Sequence, residues 1–400
     1  MNSERKVISR REDVMAFLSE NRVVLGILVL SGSLPLSGII SGISPKEEQP
    51  RFRLMSFPFG LALVLLGFRL AIFASPTELM IGIGDVFSSG SLQQSIVTLQ
   101  IYTLQASIVF NVIYAGYRGR CLADLIRRFQ ADAPASLGRR RHLPLLAFLL
   151  AVVIYITSYA LTLTNVSVSW ALVRFNLEAP PFVVYDIVFF ACCLHIGRCL
   201  EELIGQVLSA APHSGLVKTR YLKIRADVRV ACDIFGLPLA ISLLQAFFLT
   251  FSEVYHVVSL LRSHLRNKAA GIFCSSFASF FYVLRFLLLI NAAQHVLNRG
   301  EDLREEVLKL GSKEQREGME DWDKPEECEN REEWEKQEVC EKQDARKEWE
   351  ALRDFIDANP LRFRLCRGLF LLDRSLLVSV LNSMVTYMVI LVQFDKIPNE

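Results

Sequence analysis

Five polar side chains recur along one apolar stretch near the C-terminal end of the chain, Leu369–Phe394. They stand at offsets 0, 4, 7, 11 and 18, and they are Ser375, Ser379, Asn382, Thr386 and Gln393. At about 100° per residue, these positions fall within roughly 60° of one another on a helix. The stretch is long enough to cross a bilayer, and polar groups at that depth face a bundle interior or water rather than lipid.

Hydroxyl and amide groups along one face of a membrane helix suit the passage of ions. Val389 lies on the same face, and an apolar constriction can close such a path by dewetting. We therefore predict that the pore is lined by Asn382, Thr386, Val389, Gln393 and Phe394. The alternative is that the polar groups bind neighbouring helices to one another, as Ser, Thr and Asn often do in membranes. Periodicity alone leaves both interpretations open.

The same helix carries a sequence motif. Thr386-Tyr387, five apolar residues and Gln393-Phe394 follow one another, and Gly368-Leu369-Phe370 precedes them. The pattern resembles the TYhhhhhQF signature of insect and other arthropod gustatory receptors, with Thr386, Tyr387, Gln393 and Phe394 as signature residues. The resemblance implies an all-α polytopic membrane protein with seven transmembrane helices, and a ligand-gated, non-selective cation channel opened by a small-molecule tastant. It also implies four subunits, as a homo- or heterotetramer with other gustatory receptors, held by a helical cytoplasmic anchor region.

The composition agrees with a membrane protein. Of 400 residues, 52% are hydrophobic, which exceeds the usual share of a soluble domain. The segment Arg299–Asp357 has 12 Lys and Arg against 22 Asp and Glu, so the remainder of the chain is basic. A basic membrane part with one acidic insert does not suggest nucleic acid. The cysteine spacing does not fit a zinc site, and we expect free thiols at Cys192, Cys193 and Cys199.

Seven apolar stretches are about 20 residues or longer, the length that a bilayer demands. They are Met55–Ala74, Leu92–Gly116, Pro144–Leu163, Phe182–Leu203, Phe235–Leu260, Ala270–Leu297 and Leu369–Phe394. A further apolar run, Val23–Ile43, is broken by Gly32, Pro35 and Gly38. We interpret this run as a re-entrant or amphipathic helix, with a signal peptide or a full span as alternatives.

Basic residues indicate the orientation of the spans. Arg and Lys crowd the loops after the second and fourth spans, whereas the loop 75–91 has none. The positive-inside rule then places the N-terminus inside and the C-terminus outside, the inverse of a G-protein-coupled receptor. Asn165 begins a glycosylation triplet in a loop predicted to be outside, which agrees.

These assignments divide the chain into five parts. Residues 1–54 form a cytoplasmic segment, 55–297 the ligand-binding bundle, 298–360 a charged cytoplasmic loop, 361–394 the pore-lining seventh helix and 395–400 a short extracellular tail. Gly311, Gly318 and Pro325 are expected to break the first half of the charged loop, and its order is expected to be best between Arg331 and Ile356. The loop is either part of the anchor or a mobile insert.

Polar and aromatic residues of the third, fourth and fifth spans could converge on an outward-facing pocket. The candidates are Tyr155, Tyr159, Tyr185, Glu253, Tyr255 and His256. Asp186, His195 and Arg285 also lie within spans, where ionisable groups are costly. The competing interpretation is that these groups pair and fix the packing of helices.

Enzyme signatures such as a P-loop, GxSxG or HExxH do not occur in the sequence, and we expect no enzyme activity, cofactor or metal. The predicted partners are the lipid bilayer of the plasma membrane, a small-molecule tastant and further receptor subunits. A transporter, or an auxiliary receptor subunit without its own ligand, remains the alternative, although the two halves of the chain show no internal repeat.

Overall fold

A computed structural model of the chain describes residues 58–64, 67, 91–131, 168–209, 214–262, 268–320 and 347–394. These residues are almost entirely helical. The helices are α1 (58–64), α2 (Ser91–Ala131), α3 (Val168–Ser209), α4 (Ser214–Arg262), α5 (Lys268–Glu320), α6 (347–358) and α7 (Arg374–Phe394). Two short antiparallel strands, β1 (Arg364–Leu365) and β2 (Phe370–Leu371), form a hairpin before α7.

Helices α2, α3 and α5 run parallel to one another, and α4 runs against them. Between α2 and α3, Tyr114 contacts Tyr185 and, further along both helices, Phe129 contacts His195. The two helices therefore run in the same direction. The link between α3 and α4 is four residues long, which forces an antiparallel pair. The C-terminal ends of α2, α3 and α5 therefore meet the N-terminal end of α4. We call this end of the bundle the basic end, because it carries Arg128, Lys218, Arg220, Lys223 and Arg229.

The helices are longer than the apolar stretches that predict them. Helix α3 begins at Val168 rather than Phe182, and α4 begins at Ser214 rather than Phe235. The extra turns of α4 carry charged side chains and extend the bundle at the basic end, whereas those of α3 extend it at the opposite end. Within the described residues, Ser214–Tyr255 and Ser279–Leu310 are long and apolar enough to cross a membrane.

The charged segment is more helical than predicted. Helix α5 continues through Gly311 and Gly318 to Glu320, so these glycines do not break it. A helical glycine costs only about 1 kcal/mol relative to alanine, which the many helix-forming Glu, Lys and Arg neighbours can offset. Pro325 lies outside the described residues.

Helix α6 packs on the basic end of the bundle. Its apolar face is buried and consists of Trp349, Leu352 and Ile356. Tyr221 of α4 donates a hydrogen bond to the carbonyl of Asn359 at 2.8 Å, and Lys218 lies over the ring of Phe355. The second half of the charged segment therefore ends in an ordered helix attached to its own chain. Residues 331–346, also predicted to be ordered, lie outside the described residues.

The hairpin between α6 and α7 approaches α4 at Gly236. A Cβ atom at Gly236 would lie 3.0 Å from the backbone nitrogen of Cys366, which explains why this position has no side chain. Cys366 adopts φ 50 and Gly368 φ 98 in the turn, and burial raises the pKa of the Cys366 thiol. Asp373 then caps α7 by accepting a hydrogen bond from the backbone N–H of Leu376 at 3.1 Å.

The described cysteines are free thiols, as predicted for Cys192, Cys193 and Cys199. Cys192 and Cys193 are buried in the bundle, and Cys199 is half-buried.

Candidate pore and ligand-binding bundle

Helix α7 contacts the bundle through one face and leaves its polar face uncovered. Leu376, Leu377 and Val380 pack against the core of the bundle. Tyr387 continues this packed face three turns later, with its ring edge-on to Phe247 and Phe251 of α4. On a regular helix, the polar positions predicted from the sequence lie roughly 150° away from this packed face.

The structure leaves the predicted pore positions exposed on the single chain. Asn382, Thr386 and Gln393 are exposed, and Val389 is 51% exposed. Phe394 ends the helix, but its side chain lies outside the described residues.

Hydroxyl groups on α7 bond to their own helix. Ser379, Ser383 and Thr386 each donate to the carbonyl four residues earlier, at 3.0, 2.9 and 2.9 Å. Such bonds satisfy the hydroxyl within one helix, as is common for Ser and Thr in membrane helices. The described contacts therefore give no support to the alternative that these groups bind helices of the same chain together.

The bundle beside α7 contains a buried ionic cluster formed by Asp186 of α3, Ser242 of α4 and Arg285 of α5. Arg285 is 1% exposed and Asp186 2% exposed. The Arg285 guanidinium donates to the Asp186 carboxylate and to the Ser242 hydroxyl. Ser242 in turn donates to the second Asp186 oxygen at 2.8 Å. The cluster joins three helices through paired charges, which agrees with the alternative that ionisable groups within the spans pair and fix the packing of helices.

A proline lies within α4, one turn before the ionic cluster. Pro238 has no N–H, so it cannot bond to the carbonyl of Ile234 four residues earlier. The hydroxyl of Tyr114 on α2 donates to that carbonyl at 3.0 Å and restores its hydrogen bond. The same stretch of α4 touches the hairpin at Gly236, so α2, α4 and the start of α7 meet around this proline.

The predicted ligand pocket stays a prediction. Tyr155, Tyr159 and Asn165 lie outside the described residues, and so does the side chain of His256. Glu253 is half-buried near the far end of α4, and Tyr255 is buried there.

Tyr185 is expected near the outer start of the fourth span, since that span is predicted to begin at Phe182, but the structure has it well inside α3. Because α3 begins fourteen residues earlier than Phe182, Tyr185 lies deep in the bundle. Its ring contacts Phe235, and its hydroxyl donates to the carbonyl of Asn111 at 3.4 Å. It is a packing residue of the core.

Two buried polar residues of α4 are not among the site residues predicted from the sequence, because a neutral side chain within an apolar run is a weak signal. Gln245 is 2% exposed and Ser252 1% exposed. They are seven residues apart, which places them about 20° apart on one face of the helix. Their spacing from Ser242, at three and ten residues, could have shown that the apolar part of α4 also carries polar residues on one side.

Comparison with known proteins identifies the fold. The model of the 7tm chemosensory receptor family matches residues 22–320 and 338–397. The chain belongs to this family. It is therefore a member of a family of membrane-embedded receptors rather than of an enzyme family, and the resemblance noted in α7 is confirmed at the level of the family.

Two solved structures resemble this chemosensory receptor. The insect olfactory receptor OR5 from Machilis hrabei superposes with a TM-score of 0.61 at 12% identity and covers 94% of this chain and 100% of its own. The same receptor in complex with eugenol gives a TM-score of 0.61 at 13% identity, with 96% and 99% covered. At these identities the likeness establishes the fold. No curated protein sequence matches the chain.

Proposed function

We propose that this chemosensory receptor is a gustatory receptor that acts as a ligand-gated, non-selective cation channel in the plasma membrane. The observation that carries the proposal is the placement of the polar face of α7. That face points away from the chain's own bundle, and the hydroxyls of Ser379 and Thr386 on it donate to carbonyls of the same helix. A polar face in this position suits a water-filled path formed with other subunits.

One polar face cannot enclose a path, so several copies must surround an axis. We propose four, in keeping with the gustatory resemblance. Apolar side chains beside the polar face, among them Val378 and Val385, are exposed in the single chain and would pack between subunits.

The orientation has the basic end in the cytoplasm. Basic residues of α2 and α4, which are far apart in sequence, lie at one end of the bundle, as the positive-inside rule requires of a single membrane side. The N-terminus would then be inside and the C-terminus outside. Epitope tags at each terminus test this, since only the C-terminal tag should stain on unpermeabilised cells.

A small tastant would enter the bundle from the outer side. The similar olfactory receptor binds eugenol, a small molecule, in one of its structures. In this chain, α4 is suited to transmit binding because Phe247 and Phe251 contact Tyr387 of α7. A ligand that favours one arrangement of α4 would favour the corresponding position of α7.

Cysteine accessibility tests the pore directly. Single cysteines at Asn382, Thr386 and Gln393 should react with a charged methanethiosulfonate reagent and reduce agonist-evoked current. A cysteine at Leu377, on the packed face, is the matched control and should not react. If the cysteines at all four sites are equally protected from the reagent in a well-expressed channel, α7 is rejected as the pore helix. Agonist-evoked flux that shows no unitary currents would favour a transporter.

A further inference from the structure

The outward side of α2 changes from apolar to basic within two turns. Ile113 is 60% exposed and Tyr117 75% exposed, so both present apolar surface outside the bundle. Arg120 is exposed one turn later. At about 100° per residue, Tyr117 and Arg120 point within roughly 60° of each other. An exposed aromatic ring followed by arginine is typical of a helix that leaves the hydrocarbon core of a bilayer.

Two helices indicate the same level for the surface of the membrane. The apolar stretch of α2 ends at Gly116, and that of α4 begins at Phe235. The Tyr114 hydroxyl donates to the Ile234 carbonyl at 3.0 Å, so these two ends lie side by side. The headgroup layer extends about 5–8 Å beyond the hydrocarbon core of a bilayer. At 1.5 Å per residue, Arg120 lies about 6 Å beyond Gly116 and therefore at the depth of the headgroups.

The arginines at this depth have no counter-charge within the described part of the chain. Neither Arg118 nor Arg120 is paired with a carboxylate there, whereas Arg127, further along α2, is paired with Asp124. The Arg118 guanidinium lies over the ring of Tyr117, 5.3 Å from its centroid. The Nε atom of Arg118 is buried and has no hydrogen-bond partner among the residues that the structure describes. We call Tyr117, Arg118 and Arg120 the Tyr117 cluster.

The Tyr117 cluster has the chemistry of a phosphate site beside an apolar surface. Guanidinium groups bind phosphate through parallel N–H donors and are more weakly hydrated than ammonium groups. A phospholipid would place its acyl chains against Ile113 and the ring of Tyr117, whereas a soluble phosphate would leave this apolar surface in water. Asp233, an exposed carboxylate at a similar depth, belongs to α4 and makes that helix less favourable for an anion.

We infer that the Tyr117 cluster binds the headgroup of an anionic phospholipid in the cytoplasmic leaflet. The inference goes beyond the channel proposed above and rests on the orientation given there, with the basic end in the cytoplasm. One arginine near an anionic membrane surface corresponds to about a fivefold change in affinity. Arg128 lies about 12 Å further along α2 than Arg120, beyond a Debye length of about 8 Å, and should contribute little.

The experiment uses the purified full chain reconstituted in vesicles of phosphatidylcholine, with or without phosphatidylserine. Phosphatidylserine should raise the melting temperature of the wild type. A titration of its fraction should give an apparent affinity that is about fivefold weaker for Arg120→Gln. Arg120→Lys keeps the charge and should retain most of the affinity. Arg128→Gln is the matched control, because Arg128 is also exposed on α2 and loses the same charge.

Each result decides the inference. It is overturned if the wild type does not respond to phosphatidylserine, or if Arg120→Gln and Arg128→Gln respond equally. It is also overturned if water-soluble glycerophosphoserine raises the melting temperature as much, since the ligand is then a free phosphate ester. A loss of stability in Arg120→Gln that does not depend on the lipid would mean that the arginine pairs within the protein.

The measurement needs no tastant and no current, so it separates this inference from the proposed function. A response to phosphatidylserine in a receptor that shows no agonist-evoked current supports the Tyr117 cluster and rejects the channel. Agonist-evoked current in a receptor that does not respond to the lipid supports the channel and rejects the Tyr117 cluster.

Discussion

Polar residues serve opposite purposes in two regions of this receptor. On α7 they are exposed and bond to their own helix, as Thr386 does to the Asn382 carbonyl at 2.9 Å. In the α3–α5 bundle they are buried and bond across helices, as Asp186, Ser242 and Arg285 do. Both sets lie within apolar stretches of their helices.

The difference shows that membrane depth alone does not reveal the role of a polar residue. A side chain whose hydrogen bonds are satisfied locally leaves its helix free to turn or shift against water. A side chain bonded across helices fixes their relative position, because any movement exposes a charge or a lone pair. Stability measurements should therefore separate the two regions.

The largest loss is expected for Arg285→Met. This substitution leaves the Asp186 carboxylate buried without its partner and should destabilise the receptor by about 3–5 kcal/mol. Surface expression should fall, and the melting temperature of the solubilised protein should fall with it.

Two controls accompany this substitution. The double variant Asp186→Leu with Arg285→Met should recover most of the loss, because it buries no charge. Arg304→Met breaks the partly exposed pair with Asp357 and should lower the melting temperature far less than Arg285→Met does. If Arg285→Met and Arg304→Met behave alike, the ionic cluster does not hold the bundle.

The sequence was sufficient to predict the helical class, the family and the polar face of α7. Those features depend on hydrophobic period and on one local motif. It did not reveal the partners of Asp186 and Arg285, which are 99 residues apart and meet only through packing.

Helix ends were also poorly predicted, for a physical reason. The apolar stretches of the sequence end where charged residues begin, whereas helices α3, α4 and α5 continue into those charged turns. Tyr185 was consequently placed at the outer end of α3, although it lies in the core.

An intermediate loss is expected where the hairpin meets α4. Gly236→Ala would bring a Cβ atom within 3.0 Å of the Cys366 nitrogen and should cost about 1–3 kcal/mol. Gly205→Ala is a control of opposite sign, because nothing lies within 4 Å of its Cβ position and alanine favours the helix by about 0.5–1 kcal/mol. Thermal melting of both variants would show whether the hairpin is held as closely as the structure indicates.

A smaller loss is expected for Tyr114→Phe. The ring would remain against Tyr185, but the Ile234 carbonyl freed by Pro238 would lose its hydrogen bond, at a cost of about 1 kcal/mol. Tyr117→Phe, three residues later and 75% exposed, should change the melting temperature very little. An equal effect of both substitutions would mean that Tyr114 does not compensate for the proline.

The smallest effect on stability, and the clearest effect on current, is expected on the polar face of α7. Val389→Ser and Gln393→Ala alter exposed side chains and should each change stability by less than about 0.5 kcal/mol. Val389→Ser should raise the current without ligand, since a constriction lined by serine hydroxyls stays hydrated. Gln393→Ala should change selectivity or conductance, since a carbonyl oxygen is lost from the path of the ions. Tyr387→Phe keeps the ring contacts with Phe247 and Phe251 and should leave permeability ratios unchanged. Reversal potentials in mixed sodium, potassium and calcium solutions measure all three variants. Wild-type resting current, selectivity and conductance in both Val389→Ser and Gln393→Ala would mean that this exposed face packs against other subunits and that the ions pass elsewhere.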